Sequence, residues 1–147
     1  EYCCVIWKPY HHNYINLMEN VLRKFSKYIY FKKYNRYPER HCDQRNLLLT
    51  VQESSLNARR NVLSLIFLQK ILTGQIKCSA LLENININVP RFNSRCPLTF
   101  NYDVPNTYHH YNSPVLKCCR LYNHISNKND VDVDIFFQNF SKNKKIC

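Results

Sequence analysis

Hydrophobic residues recur at the spacing of an α-helix in the first third of the chain. Between residues 14 and 31 they lie three or four positions apart, on one helical face: Ile15, Met18, Leu22, Phe25 and Ile29. The opposite face carries Glu19, Arg23, Lys24 and Lys27. Glu19 precedes Arg23 by four residues, the order that favours an ion pair between successive turns. The pattern predicts an amphipathic helix over residues 14–31.

A second helical pattern begins at Leu56 and covers most of the helix circumference with apolar side chains. It includes Leu56, Val62, Leu63, Leu65, Ile66, Phe67, Leu68, Ile71 and Leu72. Ser54 or Ser55 is suited to cap its start, and Gly74 to close its end in a left-handed conformation. Arg59 and Arg60 are about 100° apart on the helix, so both cannot point into a core. We predict a mostly buried helix with at least one arginine facing solvent or a partner.

The C-terminal half of the chain has weaker patterns. Three prolines interrupt residues 85–112, so we expect that region to be irregular. Ser113 is a capping residue and Pro114 a favoured first helical residue, and together they predict a helix near residues 114–126. A last helix is expected near residues 132–142, because acidic residues begin that segment and lysines end it, as the helix dipole favours.

Three short segments complete the prediction. Residues 1–7 read as an apolar helix end or a buried strand, and residues 32–45 lack an apolar period and read as a connecting loop. Residues 79–84 suit a short helical turn. We therefore predict a mainly α fold, with a helical bundle over residues 1–76. A C-terminal region, residues 77–147, follows and contains the irregular segment and two helices.

The chain is strongly basic, with a formal net charge of +11 and a sequence pI of about 9.4. Cations are concentrated between residues 23 and 45, where Glu39 and Asp43 are the only acidic residues. Tyrosines interleave with them: Tyr28, Tyr30, Tyr34 and Tyr37. Lysine and arginine neutralise phosphates and tyrosine rings stack on bases, so this pattern favours nucleic-acid binding. The alternative is a solvated basic surface whose tyrosines serve packing.

The residues that we expect to contact nucleic acid lie in the basic interval and at the start of the second long helix. They are Arg23, Lys24, Lys27, Lys32, Lys33, Arg36, Arg59 and Arg60. Most of these contacts would be to phosphate, and they would carry little sequence information.

Eight cysteines raise two further possibilities. A disulfide framework requires an oxidising compartment, yet no secretory signal opens the chain, and the apolar residues 3–7 are too few for a signal or a membrane span. Zinc requires four converging ligands, and only Cys119 and His124 approach a useful spacing. Cys4 and Cys118, like Cys119, fall on apolar faces of predicted helices, where free cysteine packs as a small hydrophobe. We expect free thiols, no metal site, no membrane span and an intracellular location, nuclear or cytoplasmic.

The sequence contains no recognisable catalytic motif. A cysteine or serine nucleophile with a distant histidine stays open, but no nucleophile elbow supports it. With a single glycine in 147 residues there is no phosphate-cradling loop either. We therefore assign no catalytic residues.

Three groups of residues fall in an order typical of one protein family. The first group is Glu1, Tyr2, Trp7, Pro9, Tyr10, Ile15, Met18, Glu19, Val21, Arg23, Lys24 and Phe25. The second group is Ser55, Leu56, Arg59, Arg60, Phe67, Leu68, Lys70, Ile71, Leu72, Gly74 and Ile76. The third group comprises residues 88–91, 111–114 and 119–123. Together they resemble the C-terminal part of reverse transcriptases of non-LTR (LINE-type) retrotransposons, especially the jockey-like group.

The resemblance carries expectations about fold and function. It implies that residues 1–76 form the helical thumb of such a polymerase, which holds the RNA/DNA template–primer duplex beside the catalytic palm. Residues 77–147 would be the family's C-terminal extension. The Tyr-x-Asp-Asp motif, whose aspartates bind Mg²⁺ in the palm, is absent from these 147 residues.

We therefore expect a non-catalytic fragment of an RNA-directed DNA polymerase. The start at Glu1 rather than methionine agrees with a fragment or a processed product. Its partners would be nucleic acid and the missing palm, and it would hold no cofactor itself. The alternative is an interaction or structural protein from a decayed element, whose exposed apolar surface drives self-association or binds a protein partner.

Overall fold

Helices make up most of the chain. The computed structural model describes residues 2–39, 42–89, 98–129 and 135. Its elements are α1 (Cys4–Trp7), α2 (His12–Tyr34), α3 (Gln44–Val51), α4 (Leu56–Leu72), α5 (Ser79–Glu83), β1 (Asn86–Ile87), β2 (Phe100–Asn101), α6 (Tyr108–Tyr111) and α7 (Pro114–Asn129). The predicted mainly α fold class is confirmed.

The chain divides into two compact units. The basic unit consists of residues 7–60 and holds α2, α3 and the start of α4. The second unit combines the residues up to Ile6 with those from Asn61 onward. This division reflects packing, whereas the predicted division after residue 76 rests on the family resemblance and stays a prediction.

The basic unit has a small core in which α3 packs against α2. Leu47 and Leu48 of α3 are buried, as is Ser26 of α2. The Ser26 hydroxyl donates a hydrogen bond to the Leu22 carbonyl at 3.0 Å, so its polar group is satisfied within the helix. Because α3 has only eight residues and α2 has 23, much of α2 stays exposed.

Left-handed residues end three of the helices. Asn35 follows α2 with φ 52°, Gln52 follows α3 with φ 61°, and Gly74 follows α4 with φ 70°. At the start of α4 the Ser55 hydroxyl accepts a hydrogen bond from the Ala58 N–H at 3.2 Å. The predicted roles of Ser55 and Gly74 at the two ends of α4 are therefore confirmed.

The core of the second unit joins α4, β2 and α7. Its buried members are Leu65, Leu68, Phe100, Val115, Cys118, Cys119, Tyr122 and Ile135. The Phe100 and Tyr122 rings meet edge to face, with centroids 5.2 Å apart. This geometry suits the ring quadrupoles and fixes β2 on α7.

A buried asparagine side chain forms hydrogen bonds with the edge of β2 that does not pair with β1. β1 and β2 pair antiparallel, with Ile87 opposite Phe100. On the other edge of β2, the Asn123 side chain accepts a hydrogen bond from the Phe100 N–H at 3.1 Å and donates one to the Phe100 carbonyl at 2.8 Å. Asn123 of α7 thus takes the place of a neighbouring strand, and it is only 3% exposed.

Several predicted elements differ in detail from those observed. Residues 44–51 form α3, which the sequence does not predict. Its first two residues fall in the predicted loop, residues 32–45, and no helix is predicted for residues 46–51. α6 lies within the region predicted to be irregular. In α4 the buried side chains are Ser64, Leu65, Leu68, Gln69 and Ile71, so this helix is less buried than predicted. The helix predicted near residues 132–142 lies, except for Ile135, outside the described residues.

Candidate nucleic-acid interface

Three predicted cations share one face of α2. Arg23, Lys24 and Lys27 fall within an arc of about 100° around the helix axis. Arg23 and Lys24 are exposed and Lys27 is half-buried. An Arg23 guanidinium N–H donates to the Asn20 side-chain oxygen at 2.9 Å. We call Arg23, Lys24 and Lys27 the basic face.

The acidic residue of α2 is engaged elsewhere. The Glu19 carboxylate accepts hydrogen bonds from the Gln44 side-chain amide at 3.2 Å and from the Asn57 N–H at 3.3 Å. Glu19 therefore links α2 to α3 and to the start of α4. The predicted ion pair between Glu19 and Arg23 is wrong, because the Glu19 carboxylate bonds to Gln44 and Asn57 instead.

The other predicted cations of α2 lie outside the basic face. Lys32 and Lys33 are exposed in the last turn, where their charge complements the negative end of the helix dipole. The Lys32 ammonium lies 5.8 Å from the centre of the Tyr28 ring, and the Lys33 ammonium lies 5.4 Å from that of Tyr34. Arg36 is exposed just beyond the helix. These three charges surround the C-terminal end of α2 rather than extending one stripe.

The predicted arginines of α4 are part of the packing of the basic unit. Arg59 forms an ion pair with Glu53 at 3.7 Å, and both side chains are partly exposed. The Arg60 guanidinium lies 3.6 Å from the Met18 sulfur. Met18 is about 180° around α2 from Lys27, so Arg60 lies away from the basic face. The structure therefore places Arg60 away from Arg23, Lys24 and Lys27, and it pairs Arg59 with Glu53.

An apolar stripe on α2 is exposed, and it includes Met18 and Phe25 of the predicted apolar face. Its members are Tyr14, Leu17, Met18, Val21, Phe25 and Tyr28, all on one side of the helix. Val21 is 67% exposed and Phe25 is 54% exposed. The helical period groups these apolar residues on one side of α2. It does not show that the short α3 covers only the adjacent face.

Aromatic rings cluster at the C-terminal end of α2. Tyr37 is 73% exposed, and its ring stacks on Phe31 with centroids 4.6 Å apart and planes 22° apart. Tyr34 is also exposed and packs at a tilt on Tyr30, with centroids 4.7 Å apart. Of the four interleaved tyrosines, Tyr28, Tyr34 and Tyr37 therefore present ring surface to solvent, and Tyr30 is half-buried.

The described residues contain no group of three or more His, Cys, Asp or Glu side chains that could hold a metal ion. The Mg²⁺ that the family resemblance implies would be held by the palm's aspartates, and the Tyr-x-Asp-Asp motif that contains them is absent from these 147 residues. The cysteines within the described ranges are free thiols. Burial raises the pKa of the Cys119 thiol from 9.0 to about 11.

No helix among those described is both long and apolar enough to cross a membrane. Comparison of the chain with protein-family models, with curated proteins and with solved structures finds no match.

Proposed function

We propose that this chain is a non-catalytic part of a retrotransposon RNA-directed DNA polymerase that holds the template–primer duplex by its phosphate backbone. The order of motifs in the sequence supports the family assignment. The observation that supports the binding role is the basic face, where Arg23, Lys24 and Lys27 share one side of α2 and the helix's only carboxylate bonds to α3 and α4 instead.

The geometry of the basic face favours backbone contact over base readout. The three side chains occupy roughly one helical turn, a row about 6 Å long along the axis. Long, flexible cations arranged in a short row match neighbouring phosphates, whose contacts position a protein without specifying sequence. Binding should therefore be salt-dependent and nearly independent of sequence.

A charge-reversal experiment tests this proposal. The variant R23E/K24E/K27E is compared with R45E/K70E/K77E, which makes the same change of net charge at exposed cations off the basic face. Affinity for a fluorescent RNA/DNA duplex is measured by anisotropy over a range of salt. Loss of three phosphate contacts should lower the slope of log affinity against log salt by about 2–3, since each contact contributes about 0.7–0.9. Equal losses in the two variants would contradict the proposal.

A second candidate function, protein binding, is favoured by the exposed apolar stripe on α2. An apolar surface of this kind, flanked by Lys24 and ending at Lys32, is complementary to a partner helix with an apolar stripe and an acidic rim. Pairing of two copies would bring these lysines together, so charge disfavours self-association.

Synthetic helical peptides test the second candidate. A peptide with a leucine stripe flanked by glutamates should bind more tightly than its lysine-flanked counterpart, and V21S/F25S should weaken that binding. The matched control is V89S/V104S, which changes two exposed valines outside the basic unit. Equal binding of both peptides, or a molecular mass that rises with protein concentration, would contradict a role in binding an acidic partner.

A further inference from the structure

The chain reverses direction just after α2 and brings one aromatic ring onto another. Asn35 adopts a left-handed conformation, and its N–H donates to the Phe31 carbonyl at 2.8 Å. Two residues later the Tyr37 ring lies on Phe31 in a nearly parallel stack. Because Tyr37 is 73% exposed, one face of its ring packs on Phe31 while the other is open to solvent.

This ring stack continues the basic face. Phe31 follows Lys27 by four residues, which places it about 40° around the helix and about 6 Å further along the axis. A nucleic-acid strand that follows the basic face towards the C-terminal end of α2 therefore reaches the Phe31–Tyr37 stack. Arg36, beside the stack in sequence, is exposed and adds positive charge there.

We propose that the open face of Tyr37 binds an unpaired nucleobase, which extends the Phe31–Tyr37 stack by one ring. Bases inside a duplex are paired and have both faces covered, so the ligand is a single strand or an unpaired overhang. An aromatic platform beside a row of cations is the usual arrangement for binding single strands without sequence preference. This inference rests on the proposed function, because the basic face supplies the phosphate contacts.

The structure also explains why the platform is suited to binding. Tyr37 is already held parallel to Phe31, so little ring motion is lost when a base stacks on it. A strand that follows the basic face past Lys27 should therefore end on Tyr37.

Three proteins and three ligands test the proposal. The full chain, Y37L and Y37F are titrated with a fluorescent DNA single strand, with the same strand carrying abasic sites, and with a blunt duplex of equal length. Y37F keeps the ring, so its affinities should stay within about twofold of the unchanged protein. Y37L should lose about 5- to 150-fold on the single strand, which corresponds to the loss of one stacked base.

The ligand comparisons separate stacking from damage to the fold. Y37L should bind the blunt duplex and the abasic strand as the unchanged protein does, and the salt dependence should keep its slope because no phosphate contact changes. Equal single-strand affinity of Y37L and the unchanged protein would overturn the proposal, as would equal losses on single strand and duplex. The proposed function fails by a different result, namely duplex affinity that is insensitive to R23E/K24E/K27E.

Discussion

The hydrogen bonds from Asn123 to β2 make one substitution especially informative. Asn123→Ala removes the partner of both the Phe100 N–H and the Phe100 carbonyl. Phe100 is fully buried, so bulk water does not reach either of these backbone groups. Each buried backbone group left without a partner costs about 1–3 kcal/mol, so the variant should lose about 2–6 kcal/mol of unfolding free energy. That is a large part of a typical domain's 5–15 kcal/mol.

Urea unfolding followed by circular dichroism measures this loss. The matched control is Asn127→Ala, the same substitution at an exposed position of α7. It should change stability by no more than about 0.5 kcal/mol. Amide hydrogen exchange adds a local measurement, because the Phe100 N–H should exchange faster in Asn123→Ala. A loss below about 1 kcal/mol with unchanged exchange at Phe100 would refute the role of Asn123.

The variant N123D provides a test by pH. A protonated carboxyl can donate to the Phe100 carbonyl and accept from its N–H, whereas the charged form can only accept and repels the carbonyl. The folded state therefore raises the pKa of the new carboxyl. Its stabilising contribution should be present below the ordinary pKa of aspartic acid and disappear as pH rises through the raised value. Equal stability of N123D at pH 4 and pH 7, measured against the unchanged protein, would contradict this account.

Three further predictions concern stability. Leu68→Ala should lower the unfolding free energy, measured in urea, by about 2–5 kcal/mol, because Leu68 is fully buried in the core of the second unit. A loss below about 1 kcal/mol would contradict that packing. Gly74→Ala should cost about 1–2 kcal/mol by thermal unfolding, since a left-handed residue with φ 70° is strained by any Cβ even where space is open; an unchanged Tm would be inconsistent. The Cys119 thiol keeps its proton to about pH 11 when folded but ionises near 9.0 when unfolded, so stability should fall as pH rises between these values, and Cys119→Ala should lessen that fall.

The sequence predicted the elements whose signals are local. α4 begins and ends at Leu56 and Leu72 because a serine cap and a glycine stop sit directly beside a long apolar run. α3 was not predicted, since eight residues with three consecutive leucines show no clear period. Strands of two residues likewise have no alternation to detect. The bonds between Asn123 and Phe100 join residues 23 apart, and no local pattern marks them.

The candidate site was only partly predictable for a similar reason. Helical spacing places Arg23, Lys24 and Lys27 on one face without any knowledge of tertiary structure. It does not show that Glu19 bonds to Gln44 and Asn57 instead of Arg23, because those partners lie on other elements. Nor does it show which apolar face α3 covers, so it does not predict that Met18 and Phe25 are exposed.

Chemical footprinting of lysines tests the location of the interface most directly. The full chain is acetylated under mild conditions with and without saturating RNA/DNA duplex, and the modification of each lysine is read by mass spectrometry. We predict that duplex strongly protects Lys24 and Lys27, while the exposed Lys70 and Lys77 are modified equally in both samples. Protection of Lys70 and Lys77 with Lys24 and Lys27 still modified would contradict the claim that the basic face of α2 holds nucleic acid.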